Sequence, residues 1–261
     1  MAISTELTLT IIQTSLHWND IPANLEMFDK KLESIEDHGD VVVLPEMFST
    51  GFSMDASKYA EEMEGRSVQW MKAWAARLTK VITGSLIIKE GGNNYNRLIW
   101  AEPSGEVKFY DKRHLFGMAG EDKNYSPGQE RVIIDYRGWR ICPMICYDLR
   151  FPVWSRCKDD YDLLLYVANW PEARSYAWKN LLRARAIENQ AYVVGVNRVG
   201  LDGKNLRYPG LSSVIDPSGA DILYEASADE EIFSIVISME NVISVRKSLP
   251  FLKDADQFEI Q

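Results

Sequence analysis

About twelve short segments rich in β-branched and aromatic residues, each set between turn signals, most restrict how this chain of 261 residues folds. They run over 7–16, 40–44, 81–89, 97–101 and 106–110, and then over 131–136, 139–145, 162–168, 191–197, 211–216, 221–224 and 231–238. Helical spacing is rarer. Leu25, Phe28, Leu32 and Ile35 mark one apolar face over 21–37, Met71, Trp74, Ala75 and Leu78 another over 67–80, and Trp178, Leu181, Leu182 and Ile187 a third over 175–190. Such an excess of strands argues against a strict (β/α)8 alternation. It predicts an α/β chain of two sheets packed face to face, with helices on the outer faces.

Glu102-Pro103-Ser104-Gly105 and Asp216-Pro217-Ser218-Gly219 each lie between two strand-like segments, with Pro and Gly placed for a type I turn. Two such hairpins, one per half, hint at a pseudo-symmetric pair of sheets, although the recipe is also common in unrelated turns. No Gly/Ser- or Pro-rich linker interrupts the chain, so residues 1–261 are expected to form a single domain. A formal net charge of −9 disfavours nucleic acid as a partner. The N-terminus lacks the basic start and apolar run of a signal peptide, and no segment approaches the ~20 apolar residues of a membrane span. A cytoplasmic protein without membrane contact is expected.

The scarce reactive residues narrow the chemistry. Three cysteines (Cys142, Cys146, Cys157) are too few for a disulfide scaffold and suit a reducing compartment. The three histidines (His17, His38, His114) show no metal-ligand spacing, so no metal site and no cofactor are expected, and a zinc hydrolase is disfavoured. Cys146 stands where the apolar run Ile141–Ile145 gives way to Tyr147-Asp148-Leu149-Arg150. A thiol there is placed for exposure at a strand end, although a lone cysteine is ordinarily a small buried apolar residue. Glu46 follows Val41–Pro45 among apolar and aromatic neighbours, a setting that desolvates a carboxylate and suits a general base. Lys112 follows Phe109-Tyr110-Asp111, where it offers a fixed positive charge.

Taken in order, Leu44-Pro45-Glu46, Tyr110-Asp111-Lys112 with His114-Leu115-Phe116, and Cys146-Tyr147-Asp148-Leu149-Arg150-Phe151-Pro152 resemble the Glu-Lys-Cys motifs of the nitrilase superfamily of carbon-nitrogen hydrolases. The likeness continues through Asn169-Trp170-Pro171, Arg183–Asn189 and the Asp216–Gly219 turn, and so spans nearly the whole chain. Within the superfamily the chain is most similar to bacterial omega-amidases. The resemblance implies a four-layer αββα sandwich of two mixed sheets flanked by helices, assembled as a homodimer or larger homo-oligomer. It implies Cys146 as nucleophile, Glu46 as general base, Lys112 as stabiliser of the tetrahedral intermediate and Glu121, in Gly120-Glu121-Asp122, as the second carboxylate. In this arrangement Lys112 is expected to lower the thiol's pKa.

The substrates implied are small monoamides of dicarboxylates, such as 2-oxoglutaramate, 2-oxosuccinamate and succinamate, hydrolysed to acid and ammonia through a thioester. Their distal carboxylate calls for an arginine fork, and Arg150 and Arg174 are the candidates. The backbone N–H of Tyr147 is expected to receive the oxyanion, with Trp170 and Phe48 as apolar walls. Leu211, in Tyr208-Pro209-Gly210-Leu211-Ser212, stands where related amidases often carry an acidic residue. The alternatives are another C–N bond (an N-carbamoyl amide or a nitrile) and a non-catalytic nitrilase-like binding protein.

Overall fold

The structure, a computed structural model, describes residues 5–35 and 39–259. His38 and the end of the helix expected over 21–37 lie outside the described residues. The chain begins with β1 (Glu6–Gln13), α1 (Ile21–Glu33), β2 (Val41–Val43), a short α2 (Ala56–Tyr59) and α3 (Arg66–Leu78). Then follow β3 (Val81–Glu90), β4 (Asn93–Ala101), β5 (Val107–Asp111), β6 (Ile134–Tyr136), β7 (Trp139–Ile145) and a short α4 (Pro152–Ser155). The remainder is β8 (Leu163–Ala168), α5 (Ser175–Asn189), β9 (Tyr192–Asn197), β10 (Val199–Leu201), β11 (Arg207–Pro209), β12 (Ser213–Ile215), β13 (Ile222–Glu225), β14 (Glu231–Ser238) and α6 (Met239–Ser248).

Two six-stranded mixed sheets result, in the orders β14-β1-β2-β3-β4-β5 and β13-β12-β9-β8-β7-β6. Their pairings correspond. In the first, β1, β2 and β3 are parallel, β14 is antiparallel to β1, and the β4–β5 hairpin continues antiparallel from β3. In the second, β7, β8 and β9 are parallel, β6 is antiparallel to β7, and the β12–β13 hairpin continues from β9. The two Pro-Ser-Gly turns close the equivalent hairpins, each with an i+3 N–H to i carbonyl bond of 2.9 Å (Gly105 to Glu102) or 3.0 Å (Gly219 to Asp216). The echo read in the sequence is thus a repeat of topology.

Period-two alternation decides what each strand face covers. Leu7, Leu9 and Ile11, Val41 and Val43, and Leu98 and Trp100 point into the core between the sheets, where they meet Ile141, Met144 and Leu165. The alternate residues Val42, Ile82, Ile99 and Ala101 point outward, against Leu25, Phe28 and Leu32 of α1 and Met71, Trp74 and Ala75 of α3. On the second sheet α5 packs closely over Gly195, where an added Cβ would stand 2.5 Å from Leu182 and 2.7 Å from Trp178. The αββα layering expected from the sequence is therefore present. Elements missing from the sequence reading are α2, α4, α6, β10 and β11. They are short, or, like α6 with Val242 alone buried, carry no apolar stripe.

All three strand ends that carry the motif residues open on one side. Glu46 follows β2, Lys112 immediately follows β5, and Cys146 immediately follows β7. The segment after β5 is held from both directions. The Lys112 N–H donates to the Asn96 carbonyl at 3.0 Å, and the Gly128 N–H donates to the Lys112 carbonyl at 2.9 Å. Gly128 lies so close that a Cβ would fall 2.1 Å from the Asp111 carbonyl oxygen, a backbone atom that cannot rotate away. Gly128→Ala is predicted to cost about 1–3 kcal/mol of stability and to reduce turnover by shifting Lys112. A chemical denaturation midpoint and an activity equal to those of the unsubstituted protein would contradict this packing.

Candidate active site

Lys112 has no solvent exposure at its side chain, nor have Glu46 and Glu121. Its ammonium donates to Glu46 Oε1 at 3.0 Å and to both Glu121 oxygens at 2.9 Å, which occupies all three of its N–H bonds. The carboxylates are fixed in turn. Asn96 Nδ2 donates to Glu46 Oε1 at 2.8 Å and to Glu121 Oε1 at 3.3 Å. The Asn169 N–H donates to Glu46 Oε2 at 2.7 Å, and the Phe116 N–H to Glu121 Oε2 at 2.6 Å. Glu121, rather than the neighbouring exposed Asp122, is the second carboxylate of the cluster.

Cys146 sits at the mouth of this cluster with a backbone φ of +45°, a left-handed conformation that non-glycine residues rarely adopt. Asp148 holds the bend. Its Oδ2 accepts from the Ile145 N–H at 3.0 Å and the Tyr110 hydroxyl at 2.8 Å, and its Oδ1 accepts from the His114 N–H at 3.0 Å. The His114 ring hydrogen-bonds Asp148 Oδ1 at 2.8 Å and stacks on Phe151 at 3.8 Å, so this histidine braces the loop and does not face the thiol. The thiol's own neighbour is the Asn169 carbonyl, 3.9 Å from Sγ.

Electrostatics follow from burying two carboxylates with one ammonium. Burial works against the Lys112 ammonium, but the pull of Glu121 and then Glu46 outweighs it and raises the pKa. Glu121 is raised as well, because burial outweighs the Lys112 charge. The Cys146 thiol is pushed well above its ordinary value, first by burial and then by the Glu46 carboxylate, with Lys112 pulling the other way. Lys112 thus pulls the thiol down, as expected from the sequence, but burial and Glu46 outweigh it and the net shift is upward. The lysine is already engaged by two carboxylates, and the net field at the sulfur is not positive.

The thiol opens into a pocket of about 570 Å³, including its mouth. Tyr147, Arg150, Trp170 and Arg174 line it, as the sequence predicts. The Arg150 guanidinium lies 5.0 Å over the Trp170 ring and that of Arg174 lies 4.9 Å over Phe116. Phe48 does not reach the pocket. It is fully buried on the outer face of the first sheet, 5.4 Å from Phe28 and 5.7 Å from Trp70, because Met47, at φ +45°, turns the chain back over β3. Phe52 takes the place expected of it.

The carbon-nitrogen hydrolase family model matches residues 8–247. The chain belongs to the carbon-nitrogen hydrolase family. It is 49% identical over 255 residues to omega-amidase YafV of Escherichia coli K12, covering 97% of this chain and 98% of that protein. It is 32% identical over 252 residues to the 2-oxoglutaramate amidase of Bacillus subtilis, covering 95% and 96% of the two chains. The crystal structure of a CN-hydrolase superfamily protein from Xanthomonas campestris, with an arsenic adduct in its active site, superposes with a TM-score of 0.96 at 43% identity, covering 99% of this chain and 100% of that one.

This carbon-nitrogen hydrolase has the fold of the solved structure it matches, and its Glu46, Lys112 and Glu121 side chains meet in one buried cluster beside Cys146. Several pocket and cluster residues escaped the sequence reading. Asn96, on β4, carried no signal beyond being a polar residue in an apolar strand. Asp202, Lys204, Leu206 and Tyr208 reach the pocket from the β10–β11 hairpin, which was itself not read. With the thiol and the lysine both displaced upward, neither titrates between pH 7 and 9. A plot of kcat/KM against pH is expected to show no inflection between pH 7 and the ordinary thiol value of 9.0. An inflection between pH 7 and 9 would mean that a preformed thiolate is the reactive state.

Proposed function

We propose that the protein is an omega-amidase, which hydrolyses the terminal amide of small dicarboxylate monoamides such as 2-oxoglutaramate and succinamate. The observation that carries this reading is a buried Glu46–Lys112–Glu121 cluster beside Cys146, at the base of a pocket whose other wall presents Arg150 and Arg174. The similarity to proteins named omega-amidase and 2-oxoglutaramate amidase supports it. A neutral amide end fits the floor, and a distal carboxylate fits guanidinium groups at the wall.

The chemistry runs in two halves. The Cys146 proton passes to Glu46 as the sulfur attacks the amide carbonyl carbon. Once protonated, Glu46 no longer attracts the Lys112 ammonium as strongly. The donor it held at 3.0 Å is released to the oxyanion, beside the N–H of Tyr147 in the first turn after the nucleophile. One such donor is worth roughly 3–4 kcal/mol in a transition state. Collapse breaks the C–N bond, and Glu46 returns its proton to the departing nitrogen as ammonia. Water then attacks the thioester with its proton going to Glu46, and the sulfur leaves as the thiol by recovering that proton. Glu121 keeps Lys112 in place throughout and does not exchange protons.

The test is a panel of succinamate, 2-oxoglutaramate, a carbamoyl amine and a nitrile, scored for ammonia with Cys146→Ala as control. Ammonia and free acid in equal amounts from the two monoamides are expected, with Cys146→Ala at background and folded as judged by its unfolding midpoint. Carbon dioxide released with ammonia from the carbamoyl amine, at a higher kcat/KM than either monoamide, would replace this reading with a carbamoylase.

A further inference from the structure

The pocket's charge is lopsided. Arg150 comes from the turn after the nucleophile, Arg174 from the segment leading into α5, and Lys204 from the tip of the β10–β11 hairpin. Among the described residues no carboxylate forms an ion pair with any of the three, although nearby Arg207 pairs with Glu172 at 3.5 Å. Asp202 is the one carboxylate in the lining, and its oxygens are already used. Oδ1 accepts from the Lys204 N–H at 2.8 Å and the Leu206 N–H at 2.9 Å, and Oδ2 accepts from the Tyr208 hydroxyl at 3.0 Å. Cations brought together from separate elements repel one another unless an anion joins them.

The hairpin that carries Lys204 is braced on three sides. Gly203 presses on Trp18 so closely that a Cβ would lie 2.3 Å from the indole. Fully buried Arg198 donates to the Leu201 carbonyl at 2.9 Å and the Leu16 carbonyl at 3.3 Å, and its guanidinium lies 4.8 Å over the Tyr208 ring. The Val199 N–H donates to the Thr14 carbonyl at 3.1 Å. Asp202 therefore shapes the tip, and Arg198 fixes its base. A rigid support of this kind holds a binding group in position at little entropic cost.

We propose that Lys204 is a specificity-determining residue, which receives the distal carboxylate of the substrate across the pocket from Arg150 and Arg174. The proposal rests on the omega-amidase reading and extends it to a third cation on a separate element. Lys204 selects anionic monoamides over neutral amides of the same length and takes no part in bond breaking. Its side chain is exposed, so its replacement leaves the fold intact.

Succinamate and butyramide share a four-carbon amide and differ in the distal carboxylate, which makes them a matched pair. Steady-state kinetics on both, with the unsubstituted protein, Lys204→Met and Lys204→Arg, test the proposal. Lys204→Met is expected to raise KM for succinamate about tenfold with kcat unchanged, as loss of one charge-assisted contact requires. Its kcat/KM for butyramide should not change, and Lys204→Arg should restore most of the succinamate KM. An equal change for both substrates, or no change for either, would overturn the role of Lys204 while the omega-amidase reading stood. If the unsubstituted protein did not favour succinamate over butyramide, the omega-amidase reading and the role of Lys204 would fail together.

Discussion

The ion cluster around Lys112 is the interaction on which the rest of the site depends. Removing a charged group from water costs several kcal/mol, and a single partner rarely returns that cost. Here the ammonium meets two carboxylates, and both carboxylates are further held by Asn96 and by backbone N–H groups. Removing Lys112 would leave two buried carboxylates without a counter-charge, and removing either carboxylate would leave the ammonium with one charged partner and fewer of its N–H bonds met. The cluster also ties the end of β2, the end of β5 and the loop at Glu121 into one unit. Burial, and after it the Glu46 carboxylate of this cluster, raises the neighbouring Cys146 thiol well above its ordinary value.

The two sheets explain how groups so distant in sequence meet. Each contributes three parallel strands, and in each the second of the three delivers a residue to the centre. In the first sheet that strand is β2, which leads to Glu46. In the second it is β8, which leads to Asn169. These two residues then bind each other, with the Asn169 N–H on Glu46 Oε2 and Asn169 Nδ2 on the Glu46 carbonyl, both at 2.7 Å. The contact crosses between the sheets. Sites at the carboxyl ends of parallel strands are a general outcome of α/β topology. In this chain a repeated half supplies both sides of the contact.

Much of this was legible in the sequence, for a physical reason. Glu46 and Cys146 each follow a run of apolar residues and Lys112 follows a strand-like segment ending in Phe109-Tyr110-Asp111, so all three are placed at strand ends without knowledge of the tertiary fold. Glu121 rested on resemblance alone, and Phe48 shows where adjacency misleads. It lies two residues from Glu46, yet the left-handed Met47 sends it to the opposite face of the sheet. The thiol's protonation state was also beyond sequence, since it turns on how many carboxylates share one lysine. The β10–β11 hairpin escaped because each strand has only three residues, too few for a periodic pattern. Leu211, the departure from related amidases, proves to adopt φ +61° and to offer its carbonyl to Trp178 Nε1 at 2.9 Å. Its role there is carried by the backbone.

The central claim is that Cys146 carries the acyl group between two half-reactions, and partitioning of that group tests it most directly. Turnover of succinamate and of monomethyl succinate, in which a methyl ester replaces the reacting amide and the distal acid stays free, in the presence of hydroxylamine would be followed for free acid and hydroxamate. A shared thioester predicts the same ratio of hydroxamate to acid from both, since the leaving group has departed before the choice is made. A ratio that differs between amide and ester, or hydroxamate from neither, would contradict a covalent intermediate on Cys146.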